Sequence, residues 1–380
     1  MTVPRADGSR TLLGRQEVQG ALLVGGIAFL LSLARTLHEP GWPTDFDQWY
    51  HAARAMLHGG NPYEAVGPAR PFKWDWPLNY PVPTVLLVMP LTLLPMAAAR
   101  VCFSAAAGGV LGYALGKDRF RRVGLLLSAA FVIAISRNQW SPFITASFFV
   151  PLAAIFLAAK PNMALAFVAG APSWRQLRWI IGVGLVVGLV SVVARPSWPV
   201  EWFDTLSRMQ YVVAPIMRPG GILYLLALLR WRRPEARVFL ALVCVPQTPS
   251  LYDLLPLYVV TRSHRQVALL SLLTNVVFLT IVALGPFPSF DQYAYRLGYI
   301  STFLVYLPVL AMLLWRPNVF HDTPEHDAPD RLTPGHDSIS EPAGFRASIQ
   351  AMPRLDAILL LVNITATVLL VGLALTTRRM

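Results

Sequence analysis

The chain has 380 residues, of which 55% are hydrophobic and only 14% charged, and its mean hydropathy is +0.51. Soluble domains carry roughly twice that share of charge, so the composition excludes an ordinary soluble enzyme and points to a polytopic membrane protein. The net charge of +12 falls mostly on arginines at the ends of apolar runs; that is the positive-inside pattern rather than a nucleic-acid surface, so nucleic acid is not an expected partner.

The expected architecture is all-α: a transmembrane helical bundle of about 10–12 membrane segments with an amphipathic first outer loop. Arg5, Arg10 and Arg15 place the N-terminus in the cytoplasm. The first span runs over about Val18–Leu37 and reads as a retained anchor, since no small-residue cleavage site follows it. A polar and aromatic loop, 38–97, then emerges on the outer face.

Within that loop Phe46, Trp49, Tyr50, Ala53 and Leu57 recur at helical spacing. His51, Arg54 and His58 share the opposite side. Thr44 stands at the N-cap with Asp47 three residues on, a variant of the capping box. Gly59-Gly60 and Asn61-Pro62 stop the helix. Such a helix lies flat on the membrane with its aromatic side among headgroups. Asp45 then falls at the first helical position. A carboxylate there is either a partner of the helix dipole or a general base aimed into a cavity. Asp45-Phe46-Asp47 also spells a D-x-D, but no nucleotide domain accompanies it, and neither a metal nor another cofactor is expected. Lys73, Trp74, Asp75, Trp76 and Tyr80 follow among prolines. They read as an interfacial aromatic belt or as a wall on which sugar rings stack.

Residues 84–95 are apolar but too short to span, so 98–116 becomes the second span and the basic run Lys117–Arg122 is cytoplasmic. Further spans fall at about 123–136, 142–159, 179–194, 219–229, 267–284 and 297–315. Arg137 to Trp140 form a short outer turn. Residues 163–171 are again too short to cross, and PVEWFDTLSRM reads as an outer surface helix. Residues 237–260 are interrupted by PQTPSLYD and read as two short crossings that meet. Broken crossings are tolerated where backbone lines a cavity. The segment 317–355 is polar, rich in Pro, Asp and His, and reads as a disordered cytoplasmic linker. A last span occupies about 356–376. Cys102 and Cys244 lie in apolar runs and offer neither a disulfide framework nor metal spacing.

Cations on the outer side would stabilise an anionic lipid headgroup or a phosphate leaving group. The candidates are Lys73, Arg100, Arg137, Arg195, Arg208 and Arg218, with Arg100 and Arg137 foremost. Asp253, beside Tyr252 in the broken crossing, is a carboxylate at membrane depth and hence a functional candidate or a salt-bridge partner of an arginine.

The run D-F-x-x-W-Y-x-A-A-R-A from Asp45, then G-G-N-P-Y ending at Tyr63, then Y-P-V-P from Tyr80 and an apolar L-x-P-L-x-L-L-P, resembles glycosyltransferase family 87. Asn138-Gln139 is similar to that family's G-Q-x-N turn, with Arg137 in place of the Gly, and Lys160-Pro161 to its K-P. The likeness covers about residues 20–260. Tyr252-Asp253 stands where members often carry an aromatic residue followed by His, and Y-P-P is replaced by Tyr80-Pro81-Val82-Pro83. The resemblance implies a GT-C membrane domain over 1–316. It implies transfer of a mannose-like hexose or pentose from a polyprenyl-phosphate donor to an outer-leaflet lipid or glycan acceptor, with inversion. By the same resemblance Asp45 is the base. Asp47, Tyr50, His51, Tyr63, Lys73, Trp76, Tyr80, Arg100, Arg137, Gln139, Arg218, Tyr252 and Asp253 would form the substrate site. The setting would be the plasma membrane, with membrane lipids as neighbours. A transporter of lipid-linked saccharides or a non-catalytic envelope scaffold are the alternatives; no internal repeat of the kind transporters show is present.

Overall fold

The long apolar runs form helices because a backbone withdrawn from water must satisfy its own hydrogen bonds. The computed structural model describes residues 9–209, 213–316 and 354–376. The segment 317–353, and with it nearly all of the expected linker, lies outside the described residues. Helix α1 (Ser9–His38) leads into α2 (Asp45–Leu57), then the single turn α3 (Pro62–Ala65). A two-residue parallel pair follows, β1 (Val66–Gly67) with β2 (Phe72–Lys73). Next come α4 (Val82–Val88), which tightens to 3-10 geometry over Met89–Leu93, and α5 (Met96–Lys117). The expectation that 84–95 does not span is thus matched by a short helix, with the long helix beginning after Pro95.

The middle of the chain departs from the simple span count. Residues 123–136 are a 3-10 stretch, Val123–Leu127, and the eight-residue α6 (Ala129–Ser136). Residues 142–159 divide into α7 (Ser141–Ala146) and a 3-10 stretch, Pro151–Ala159. After α8 (Pro161–Ala169) comes α9 (Trp174–Ala194), in which only Ile180 and Ser191 are buried. The amphipathic α10 (Trp198–Ser207) follows. The stretch expected as a span at 219–229 is a 3-10 segment, Gly221–Arg230. The interrupted 237–260 is indeed two pieces, α11 (Pro234–Cys244) and a 3-10 segment, Leu251–Val260. The remaining helices are α12 (His264–Leu284), α13 (Phe290–Ser301), α14 (Leu307–Leu314) and α15 (Arg354–Thr376). One π-helical turn joins α13 to α14. Among the described residues five helices are long and apolar enough to cross a membrane: Gly14–His38, Met96–Lys117, Trp174–Ala194, His264–Leu284 and Phe290–Leu314. The protein is a helical, membrane-embedded bundle. Its short, broken helices number more than composition suggested, because Pro and polar residues interrupt the runs.

Two contacts set the frame for the site. Helices α1 and α5 touch backbone to backbone: a Cβ placed on Gly112 would lie 2.1 Å from the carbonyl oxygen of Gly20. The second is the turn after α6. The Asn138 N–H bonds to Ile135 O at 3.1 Å and the Gln139 N–H to Ala134 O at 2.8 Å, a Schellman ending. Asn138 holds the left-handed φ of 55° that this ending needs. Its amide nitrogen donates to Ser104 Oγ (2.7 Å), Arg100 O (3.0 Å) and Ser32 Oγ (3.2 Å). One turn therefore ties α6 to α1 and α5 and sets the direction of Gln139.

Candidate functional site

The apolar face of α2 packs into protein, not into headgroups. Phe46 and Trp49 are fully buried. The Trp49 ring meets Tyr80 at 4.9 Å and Trp140 at 5.3 Å, and Phe46 meets Phe103 at 5.1 Å. Aromatic periodicity cannot distinguish a lipid-facing from a core-facing stripe, and here other helices cover it. That burial holds the first turn of α2, and with it Asp45, against a cavity of about 1520 Å³.

Asp45 is half-buried, and the surface it keeps faces this cavity. Gln139 Nε2 donates to Asp45 Oδ2. The Tyr252 hydroxyl donates to the same oxygen at 3.3 Å. Among the described residues Oδ1 has no such partner. Burial raises the Asp45 carboxyl above the ordinary carboxylate range; Arg137, Lys160 and the bonds from Gln139 and Tyr252 oppose it. A cavity-lining carboxylate with one oxygen engaged and the other without a hydrogen-bond partner can accept a proton from a hydroxyl placed in the cavity.

Lys160, at the Pro-flanked start of α8, donates to Asp253 Oδ1 at 2.8 Å. Its ammonium lies 4.9 Å from the centre of the Tyr252 ring and 5.9 Å from that of Tyr80. The Ser141 hydroxyl reaches the same Asp253 oxygen at 3.4 Å. Asp253 is thus ion-paired, one of its two expected readings, with a lysine as the partner. Arg137, at the end of α6, also lines the cavity. The cavity therefore has a polar floor built from α2, the α6–α7 turn, the start of α8 and the Tyr252-Asp253 segment.

Seven of the expected residues line this cavity: Asp45, Lys73, Trp76, Tyr80, Arg137, Tyr252 and Asp253. Gln139 reaches it through Asp45. The others sit elsewhere, each for a visible reason. Asp47 is buried and faces away. It accepts the Thr44 N–H at 3.0 Å and the Arg100 Nε at 2.7 Å, with a further ion pair to Arg100 Nη2. Arg100 is therefore consumed inside the protein and is not a cavity cation. Tyr50 donates its hydroxyl to Leu94 O at 2.8 Å. His51 stacks on Phe72 at 4.1 Å. Tyr63 is buried, its N–H tied to Asn61 Oδ1 at 2.9 Å. Arg218 lies behind the cavity, where its guanidinium fills the space a side chain on Gly298 would take. Of the other two outer-side candidates, Arg195 pairs with Glu201 at 2.5 Å and Arg208 with Asp204 at 2.6 Å.

The same geometry separates the two aspartates of the D-x-D. One faces the cavity and the other the core, so they do not form a paired ligand set.

Several lining residues escaped sequence reasoning. Lys160 was visible as part of Lys160-Pro161, but not its pairing with Asp253. Arg35 and Gln48 lie inside helices whose apolar pattern hides them. Ile281 and Val282 near the end of α12, and Phe287 just past it, supply an apolar wall. Trp202 and Phe203 of α10 close another side, Trp202 Nε1 donating to Asn79 O at 2.9 Å. Trp76 packs on Phe290 at 4.4 Å, so the loop after β2 is anchored to α13.

Compared with protein-family models, with curated proteins and with solved structures, the chain matches none.

Proposed function

We propose that the chain is an integral-membrane glycosyltransferase of the GT-C type. It takes a sugar from a polyprenyl-phosphate donor and passes it to a hydroxyl of a lipid or glycan acceptor on the outer face. Asp45 is the general base. The observation that carries this reading is Asp45 itself: a carboxylate on the wall of a large cavity, one oxygen held by Gln139 and Tyr252, in a lining that also includes the cations Arg137 and Lys160.

The chemistry follows from that placement. Asp45 Oδ1 takes the acceptor hydroxyl proton while the hydroxyl oxygen attacks the anomeric carbon. The bond from that carbon to the phosphate oxygen breaks, and the polyprenyl phosphate leaves with the electron pair. A single displacement inverts the anomeric centre. Arg137 and Lys160 meet the negative charge that grows on the phosphate, where fixed cations in a water-poor site act strongly. Tyr80 and Trp76 offer ring faces to the sugar. The apolar wall at Ile281, Val282 and Phe287 suits the first isoprene units. At about 1520 Å³ the cavity exceeds the usual range for a small ligand and has room for a sugar, a phosphate and part of a chain.

The test uses purified full-length protein in liposomes with polyprenyl-phosphate mannose and a glycolipid acceptor. Asp45→Asn is expected to lower transfer by about 10²–10⁴-fold, the usual worth of a positioned base. Equal product from wild type and Asp45→Asn would sink the assignment of the base. Movement of the labelled donor across the bilayer without product would instead indicate a transporter.

A further inference from the structure

Asp253 lines the same cavity as Asp45 yet has no part in the chemistry proposed there. It is 6% exposed and follows Tyr252 in the 3-10 segment Leu251–Val260. Its Oδ1 accepts from Lys160 Nζ at 2.8 Å and from Ser141 Oγ at 3.4 Å. The carboxylate thus joins its own segment to the start of α7 and to the residue before α8. Lys160 stands between the two aspartates. Its ammonium lies 4.9 Å from the centre of the Tyr252 ring, and the hydroxyl of that ring donates to Asp45 Oδ2 at 3.3 Å. The Lys160 charge acts on Asp45 as well as on Asp253. The other groups facing Asp45 are Arg137 at the end of α6, Gln139 in the turn after it and Tyr252. Arg35, Lys73, Asp75 and Tyr293 line the same cavity, while Asp47 on α2 itself turns away to Arg100.

A lysine carries its charge at the end of a flexible stem. An ammonium as buried as that of Lys160, 9% exposed, needs a carboxylate partner, because a buried charge without one is costly. Its field reaches two carboxylates, and the choice between them matters to Asp45. A carboxylate drawn into an ion pair is a weaker base, and the oxygen that pairs is occupied. The structure makes the choice through Asp253. The ammonium bonds to Asp253 and rests over the Tyr252 ring, and it is the hydroxyl of that ring that bonds to Asp45.

We propose that Asp253 is a positioning residue that holds Lys160 off Asp45. It fixes the ammonium over the Tyr252 ring, within the cavity lining, and leaves the base to Gln139 and Tyr252. A lysine ammonium has several donors, so Lys160 held in this way still serves a phosphate. This role rests on Asp45 being the general base.

The pH dependence of transfer and the thermal melting of the full-length protein test this role. In Asp253→Asn the ammonium is expected to turn to Asp45. The acid limb of kcat/KM then moves to lower pH, so that transfer on the limb rises about tenfold relative to the plateau, the worth of one pKa unit. The plateau itself falls at least about tenfold, because the base is engaged. Removing the lysine as well, in Lys160→Gln/Asp253→Asn, reverses the shift and takes the limb to higher pH than in the wild type. Asp253→Glu, which keeps the charge, is expected to restore the wild-type limb. A loss of packing alone would lower the plateau without moving the limb in opposite directions. An unmoved limb in Asp253→Asn, or the same shift with and without Lys160, overturns the role. Should Asp253→Asn fail to fold, Lys160→Gln/Asp253→Asn carries the test, and a limb at the wild-type position overturns it. Melting gives a readout that needs no transfer. Asp45→Asn/Asp253→Asn leaves Lys160 with neither carboxylate and should melt lower than the sum of the two single effects; additive effects overturn the role. Equal transfer by wild type and Asp45→Asn removes the base, while the melting comparison still decides whether Lys160 passes between the two aspartates.

Discussion

Asp45 and Asp47 stand two positions apart on one helix and so point about 200° from each other at 3.6 residues per turn. That divergence gives them opposite fates. Asp47 joins Thr44 and Arg100 in a buried ion pair. Removing one partner leaves the other charge buried, so Asp47→Asn or Arg100→Gln is expected to cost about 3–5 kcal/mol, seen as a lower melting temperature. Asp45 behaves in the reverse sense. Burial raises its carboxyl, so the fold favours its neutral form. Its contribution to stability is full at low pH and is lost as the pH rises through the folded value. Asp45→Asn should therefore hold or raise the melting temperature at neutral pH while it lowers the proposed transfer by about 10²–10⁴-fold. On the proposed function, Asp45 must be ionised to act as a base. The acid limb of kcat/KM should accordingly lie above the ~3.9 of an ordinary aspartate, and a pH profile of transfer would measure it. A limb at or below that value would contradict the environment described for Asp45.

At the scale of elements, the site depends on how closely α1 and α5 approach and on where the turn after α6 points. A methyl group on Gly112 would meet Gly20 O at 2.1 Å, whereas one on Gly109 finds its nearest neighbour, Ala21 O, at 3.7 Å. Gly112→Ala is expected to destabilise by roughly 1–3 kcal/mol through overpacking, with Gly109→Ala close to neutral. Melting curves of the pair would check this; equal effects would mean that the helices can part freely. Arg100 lies on α5, Asn138 bonds to its carbonyl oxygen, and Gln139 follows Asn138. A shift of α5 against α1 is thus passed to the group that holds Asp45.

For the whole molecule, α12 relates the two ends. The cavity lies at one, by Ile281 and Val282, and His264 at the other, about a bilayer core apart. On a background without Cys102 and Cys244, a cysteine at Lys73 should react with an impermeant thiol reagent from outside intact cells, and one at Arg265 only after permeabilisation. Both positions are exposed. Labelling of both from the same side would refute the placement of the two ends on opposite faces.

By itself the sequence determined the class of the protein, since an apolar run without water can only fold as helix. It also located Asp45 at a helix start, the shortness of 84–95 and the break within 237–260. These are local properties, set by periodicity, capping and proline. It did not determine which side of the aromatic stripe of α2 meets protein, because the same spacing serves a lipid-facing and a core-facing helix. Nor did it tell which cations line the cavity and which are buried away from it. Arg100 and Arg137 carry the same charge and flank the same loop, yet one is held by Asp47 and the other lines the cavity. Only the tertiary structure decided that, since pairing depends on groups 53 residues apart for Arg100 and Asp47 and 93 apart for Lys160 and Asp253. No spacing in the chain records such distances.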